Sequence, residues 1–417
     1  MTPTCQGAWS ARPTPPPASR LDAAAEELRI VFMYLGRGGA LGNFAQSLAG
    51  SASLAGGVAA SFVVSQMNPC LEALRREGAT LAVPTFEPGS AIAPATNFLA
   101  AKRKLHAHLC AFRPHAVVNL MPHVWTPLWV PAIRKAGISF VSIVHDAVPH
   151  PGDATGRLLW WLHREARAAD LVVTLSRHVA AQLHELGVAP AHRTAKLFLP
   201  DFVYGPPGRA RSRRDGRPLR LLFFGRILAY KGLPVLLDAV EQLREQGVTV
   251  ELGVAGVGDL RPYRARIEAL GGEIINRWIE DREVGPLLAR YDAMALPYVE
   301  CSQSAAAATA LGAGMPLVGM PVGGLSEQIV DGVNGVLAHA ATAKGLAGAI
   351  RRLATDNALH ARLCAGLRAT MPGRSADLFL SMLVGEVARL RTGRRGAHLQ
   401  ARSPLARSKP ATYAVAE

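Results

Sequence analysis

Cysteine is scarce in this chain: five residues in 417, at positions 5, 70, 110, 301 and 364. They are odd in number, widely spaced and never in a Cys-x-x-Cys pair. A disulfide framework and a thiolate metal finger do not fit that pattern, and a reducing, cytoplasmic compartment is expected. No Asp-x-Asp clamp occurs, and His106 and His108, two apart, would face different sides of a helix. No metal is therefore expected. Lysine is rare too, at seven of 46 basic residues. The arginine clusters carry no interleaved aromatics, and no recognition-helix, zinc-finger or RNA-binding pattern appears. Specific nucleic-acid binding is not expected.

Long, strongly apolar runs are missing as well. The uncharged stretches 38–71 and 301–326 are broken by Gly, Ser and Pro. They fit strand–loop–helix pieces of a buried core better than membrane spans. The first 20 residues hold five Pro and no apolar core, which reads as a loose arm over 1–27 rather than a signal peptide.

What is present is positive charge: 46 basic residues against 31 acidic give +15. It is concentrated. Residues 209–220 contribute +5 and residues 389–417 contribute +6, leaving about +4 for the rest. Both segments also read as the least structured, a basic linker over 202–218 and a basic tail over 392–417.

Between them, short apolar runs alternate with amphipathic segments. Runs at 30–35, 58–64, 116–120, 140–144 and 171–175 read as buried strands, with helices at 97–112, 156–169 and 177–186. Ser176 is an N-cap candidate and Gly187 a stop. After the linker the alternation restarts, with strands at 219–224, 248–255, 293–296, 317–319 and 335–337 and a helix over 233–246. This predicts an α/β protein of two doubly wound, Rossmann-like domains, 28–201 and 219–375, facing a central cleft. A terminal helix over 376–391 is expected to pack back on the N-terminal domain. In such sheets ligands bind beyond the strand carboxyl ends, so motifs there matter most.

The sequence Phe223-Phe224-Gly225-Arg226-Ile227-Leu228-Ala229-Tyr230-Lys231-Gly232 follows a strand and opens a helix. Arg226 and Lys231 suit a diphosphate; a solvated loop with two exposed cations is the plainer alternative. Glu300-Cys301-Ser302-Gln303-Ser304 also follows a strand and opens a small-residue helix, where hydroxyls and amides could hold an anion. Gly36-Arg37-Gly38-Gly39 follows the first strand. His145 ends the 140–144 strand and can be structural or catalytic. His123 and Trp125 could line an acceptor, or Trp125 and Trp129 could simply fill the core.

Taken together, these pieces resemble glycosyltransferase family 4, retaining enzymes of the GT-B fold. The resemblance runs in order over about 219–340: Gly225, Arg226, Ile227, Lys231 and Gly232; Val254 to Gly258; Ile275-Asn276-Arg277-Trp278-Ile279; Glu300 to Pro316; Pro321 to Glu327; and Asp331 to Gly335. It implies a nucleotide-sugar donor, no further cofactor, and a glycan or lipid-linked acceptor, as in polysaccharide or glycoconjugate biosynthesis. Arg226 and Lys231 would hold the donor diphosphate. Gly38, Gly39, Gly225, Gly256, Trp278, Ile279, Ser302, Gln303 and Ser304 would line the donor site. Glu300 and His145 would lie by the sugar, and His123 and Trp125 on the acceptor side. The family's second glutamate should fall at or near 308–310, where this chain has Ala-Thr-Ala. A non-catalytic scaffold is the alternative that this departure suggests. The basic linker and tail would suit an anionic membrane surface on the cytoplasmic side.

Overall fold

The computed structural model describes residues 27–402 except 88, 91, 153–157 and 206–215. Most of the basic linker and the last part of the tail thus lie outside the described residues.

Two parallel sheets are present. The first contains β1 (Leu28–Tyr34), β2 (Val58–Ser65), β3 (Ala79–Val83), β4 (Ala116–Asn119), β5 (Ser139–Val144), β6 (Leu171–Thr174) and β7 (Thr194–Lys196), in the order β3-β2-β1-β4-β5-β6-β7. The second contains β8 (Leu219–Phe224), β9 (Val250–Ala255), β10 (Glu273–Ile275), β11 (Ala293–Leu296), β12 (Leu317–Gly319) and β13 (Gly335–Leu337), in the order β10-β9-β8-β11-β12-β13. The apolar runs explain the central strands. Helices cover both faces, so Ile30, Val31, Phe32 and Met33 are all fully buried instead of alternating in and out.

The edge strands β3, β7 and β10 were not anticipated from the sequence. They are short and partly exposed, with little apolar signal; Glu273–Ile275 has no buried residue. Ser176 caps the helix Arg177–Glu185, its side chain accepting from the Val179 amide.

The terminal helix, Ala376–Arg402, packs against the N-terminal sheet. Phe379, Leu380, Leu383 and Val387 join that sheet's core, with Phe379 edge-on to Phe44 at 5.2 Å. The helix does not stop near 391 but continues through Arg402, so the first part of the presumed loose tail is helical. Arginine and alanine, frequent there, are good helix formers, and no proline intervenes before Pro404. Among the described residues, no helix is long and apolar enough to cross a membrane.

Strand order reverses between β1 and β4 and between β8 and β11. Loops leaving the strand carboxyl ends beside these reversals build the cleft.

Candidate active site

On the C-terminal side, the loop after β8 is pinned to the loop after β9. Gly225 N–H donates to Ala255 O at 3.0 Å and Ile227 N–H to Val257 O at 2.9 Å. A Cβ on Gly256 would lie 1.8 Å from Gly225 O, so only glycine permits this approach. Gly232, at φ 70°, turns the chain into the helix Leu233–Glu245, and a Cβ there would meet Pro297 O at 1.9 Å. The two cations between these glycines differ. Arg226 is exposed. Lys231 lies between two rings, its Nζ 4.0 Å from the Tyr298 ring centre and 5.1 Å from that of Tyr230, and donates to Tyr298 Oη at 2.7 Å. Burial pushes the Lys231 pKa down. An anion beside it would favour its charged form.

The loop after β11 supplies Glu300 and the three polar residues. Glu300 keeps 35% of its side chain exposed. Ser302 is buried; its hydroxyl meets His150 Nε2 at 3.1 Å and its carbonyl accepts from Ser176 Oγ at 2.8 Å. Ser304 is taken up by the fold. Its hydroxyl caps the helix Ala305–Gly312 and contacts Tyr298 Oη at 3.1 Å, while its amide donates to Gln328 Oε1 at 2.7 Å. Burial of Cys301 pushes its thiol up to about 12, so it is no nucleophile at neutral pH.

Across the cleft, His145 is buried and donates from Nε2 to Leu120 O at 2.7 Å. That bond leaves Nδ1 as the acceptor, and Gln303 Nε2 approaches it at 3.4 Å. Burial lowers the His145 pKa, which keeps the ring neutral. Gln303 Oε1 is buried with no donor among the described residues.

The structure adds a group that the sequence reading did not single out. His150 places Nδ1 2.9 Å from Glu300 Oε1 and Nε2 3.0 Å from Asp146 Oδ1, and stacks on Tyr230 at 4.6 Å. It therefore joins a carboxylate of each domain. Burial opposes its charge, but the two carboxylates outweigh that and raise its pKa. Asp146 is correspondingly lowered; burial alone would raise it, and the bond to His150 prevails. The four-residue spacing of Asp146 and His150 was visible in the sequence; Glu300 was not visible as their partner.

The acceptor candidates sit deeper. Trp125 is 8% exposed and packs on Phe98 and Trp129, so it serves the core. His123 is edge-on to Trp125, its Nδ1 accepting from the Trp125 amide, and burial lowers its pKa to about 4. Behind them Glu165 is fully buried. It accepts from Asn119 Nδ2 at 2.8 Å, from Ser142 Oγ at 2.6 Å and from Thr126 Oγ1. One carboxyl thereby ties β4, β5 and the start of the helix Thr126–Lys135 together. Gly39 opens the helix Ala40–Leu54 at φ 89° with no side-chain cap, and Gly38 O accepts from Tyr34 Oη at 2.9 Å.

Trp278 is half-exposed and Ile279 buried. Arg277 forks onto Glu283 at 2.6 and 2.8 Å and fixes this segment before the helix Asp281–Ala289. At Ala308 the side chain is fully buried in a cluster with Phe202, whose amide donates to Ala308 O at 3.1 Å. A glutamate at 308 would push a carboxylate into apolar packing. The domains also meet where Glu327 accepts from the Arg177 and His178 amides, at 2.8 and 2.9 Å, at the positive end of the helix Arg177–Glu185. Among the described residues, no group of three or more His, Cys, Asp and Glu could hold a metal ion.

Two facing Rossmann-like domains with these strand-end loops define a GT-B glycosyltransferase. Solved structures share the architecture. HepE from Anabaena, in complex with UDP-glucose, is 16% identical with a TM-score of 0.65, the match covering 87% of this chain and 99% of HepE. Sucrose-phosphate synthase from Thermosynechococcus elongatus is 15% identical with a TM-score of 0.68, the match covering 88% of this chain and all of that one. The chain belongs to the group 1 glycosyl transferases. Residues 39–195 match the family described as "Glycosyl transferase 4-like domain", and residues 218–356 match "Glycosyl transferases group 1". The D-inositol 3-phosphate glycosyltransferase of Xylanimonas cellulosilytica is 28% identical over 354 residues, 71% of this chain and 84% of that protein.

Proposed function

We propose that this glycosyltransferase moves a sugar, with retention, from a nucleotide-diphosphate sugar to a hydroxyl of a glycan or lipid-linked acceptor. The observation that carries the reading is the pair Arg226 and Lys231 on the β8 loop, which is joined to the Glu300 loop where the Val299 amide donates to Tyr230 O at 3.0 Å. The two cations would hold the diphosphate and stabilise its charge as it leaves. Glu300 and the neutral His145 would orient the sugar, and Gln303 Oε1 could accept from a sugar hydroxyl. The anomeric carbon–phosphate oxygen bond breaks while the acceptor oxygen bonds the same face. The acceptor's proton passes to the departing phosphate, giving a glycoside and a nucleoside diphosphate. With Oε1 of Glu300 on His150, its second carboxylate oxygen is the one that would meet the sugar. HepE, crystallised with UDP-glucose, supports a nucleotide-sugar donor by fold likeness.

The test is a screen of UDP-, GDP- and ADP-sugars for protection against thermal unfolding, followed by determination of the product's anomeric configuration. One nucleotide class should protect, and the donor's configuration should persist. No protection by any donor, or an inverted product, would overturn the reading. Ala308 supports a second reading, a nucleotide-binding scaffold without turnover. Protection without transfer or hydrolysis would favour it. We further propose that the basic linker and tail contact anionic lipid; unchanged liposome binding after neutralising both segments would refute this.

A further inference from the structure

A second concave site lies away from the cleft. Between the helix Ala95–Phe112 and the helix Thr126–Lys135 is a cavity of about 460 Å³. Its walls include Arg113 and Pro114, which lead into β4, and Gly137 and Ile138, which lead into β5. It therefore opens at the strand amino ends, opposite the end where donor loops gather. Its volume is within the range of small-molecule sites, ~300–1,000 Å³.

Its chemistry is two-sided. Leu105, Leu109, Trp129, Ile133 and Ile138, each 9% exposed or less, make an apolar floor. Lys102, His106 and Arg113 are exposed on the rim. No acid lines it. The sequence reinforces this, since no Asp or Glu occurs between Glu87 and Asp146, a stretch holding Lys102, Arg103, Lys104, Arg113, Arg134 and Lys135. Arg134 is paired with Asp170 at 2.9 Å; among the described residues the other five pair with no carboxylate. Arg29 adds a further cation beside the rim, donating from Nε to Arg113 O at 2.8 Å. Leu99 and Leu128, 55% and 51% exposed, continue the apolar surface one turn up the same helix faces. The Trp129 indole N–H, in the same wall, is buried with no acceptor among the described residues.

We infer that this cavity binds a single-chain anionic amphiphile, with the alkyl chain on the apolar floor and the phosphate or carboxylate head on Lys102, His106 and Arg113. The apolar floor excludes a purely ionic ligand, since it would desolvate charge without pairing it. Lys102 and Arg113, which meet no carboxylate among the described residues, disfavour a neutral lipid. A compact hollow of this size holds one chain, which favours a free amphiphile over a bilayer face. The site is separate from the donor loops, so its occupation should not compete with nucleotide sugar.

Dodecyl phosphate, titrated into the full chain below its micelle concentration, should bind saturably at one site. Lys102→Glu combined with Arg113→Glu should weaken it about tenfold or more, the loss of charge-assisted contacts. Ala132→Phe, which fills the cavity from an exposed helix position, should abolish binding, and an unchanged affinity in the double charge reversal would overturn the head-group assignment. Thermal unfolding would establish that both variants are folded, and nucleotide-sugar protection should be unchanged in both. Equal binding of neutral dodecyl maltoside, saturable binding of inorganic phosphate alone, or full binding by Ala132→Phe would overturn the inference. Binding to anionic vesicles with none to monomeric dodecyl phosphate would overturn it in favour of a membrane surface.

Discussion

The two walls of the cleft are built on opposite principles. The C-terminal wall presents charge: an exposed Arg226, a Lys231 held between tyrosines, and a part-exposed Glu300. The N-terminal wall presents almost none. His145 is kept neutral by burial, His123 is lowered to about 4, and Glu165 is sunk beneath three hydrogen-bond donors. Recognition of a diphosphate needs cations that stay within reach of it, whereas orienting an uncharged sugar needs fixed dipoles and shape. Asp146 and His150 are the exceptions. Both belong to this wall, yet Asp146 is lowered and His150 raised in pKa, because His150 meets Asp146 on its own side and Glu300 on the other.

The contrast breaks first at its charged wall. Arg226→Ala, or Lys231→Met, which keeps the bulk between the tyrosines, should cut transfer by ~10²-fold, about 3 kcal/mol. Unfolding temperatures should hold, or rise for Lys231→Met, since burial disfavours that charge. Wild-type turnover in either variant would remove the diphosphate assignment.

The neutral wall should respond in stability before chemistry. Glu165→Ala strands the donors of Asn119, Ser142 and Thr126 and should cost about 2 kcal/mol in denaturant unfolding. A loss below a few tenths of a kcal/mol would show that the network does not hold this wall.

A smaller effect is expected at the junction, and it depends on pH. His150 is raised above its ordinary 6.5, so its contribution is complete below that value and fades as pH rises through the higher folded value. Asp146 is lowered, so its part is present above the ordinary carboxylate range and is lost as pH falls through its depressed value. The stability difference between the wild type and His150→Asn should therefore be largest in mildly acid solution and vanish in alkaline solution. A difference independent of pH would mean that stacking on Tyr230, not charge, is what His150 supplies.

The least is expected from Ser176→Ala, about 1 kcal/mol, as for a lost helix cap. It also removes the hydroxyl bonded to Ser302 O. A purely local cap would leave the affinity for nucleotide sugar unchanged; a weakened affinity would show that this bond sets the Ser302 loop.

The charged wall was legible because its loops are short and local. Gly225, Arg226, Lys231 and Gly232 lie within eight residues; Gly225 sits at φ 115°, and a Cβ on Gly232 would meet Pro297 O at 1.9 Å. The neutral wall was not legible, because its partners lie far apart in sequence. Glu165 stands 46 residues from Asn119, and His150 stands 150 from Glu300. A buried acid in an Arg- and Ala-rich helix looks like any solvated one until the strands beneath it are in place. Ser304 shows the reverse limit, since polarity at a strand end suggested a ligand where the fold needed a cap.

By itself, then, the sequence determined the two-domain α/β plan, the buried central strands and the cationic loop after β8. Apolar runs, glycines and local charge act over a few residues and are written in order. Tertiary structure alone decided that His150 joins the domains, that Glu165 locks the neutral wall, that Ala308 is sealed under Phe202, and that an acid-free pair of helices encloses a cavity. Each of these depends on distant segments meeting, and burial then fixes the charge and partners of the groups that meet.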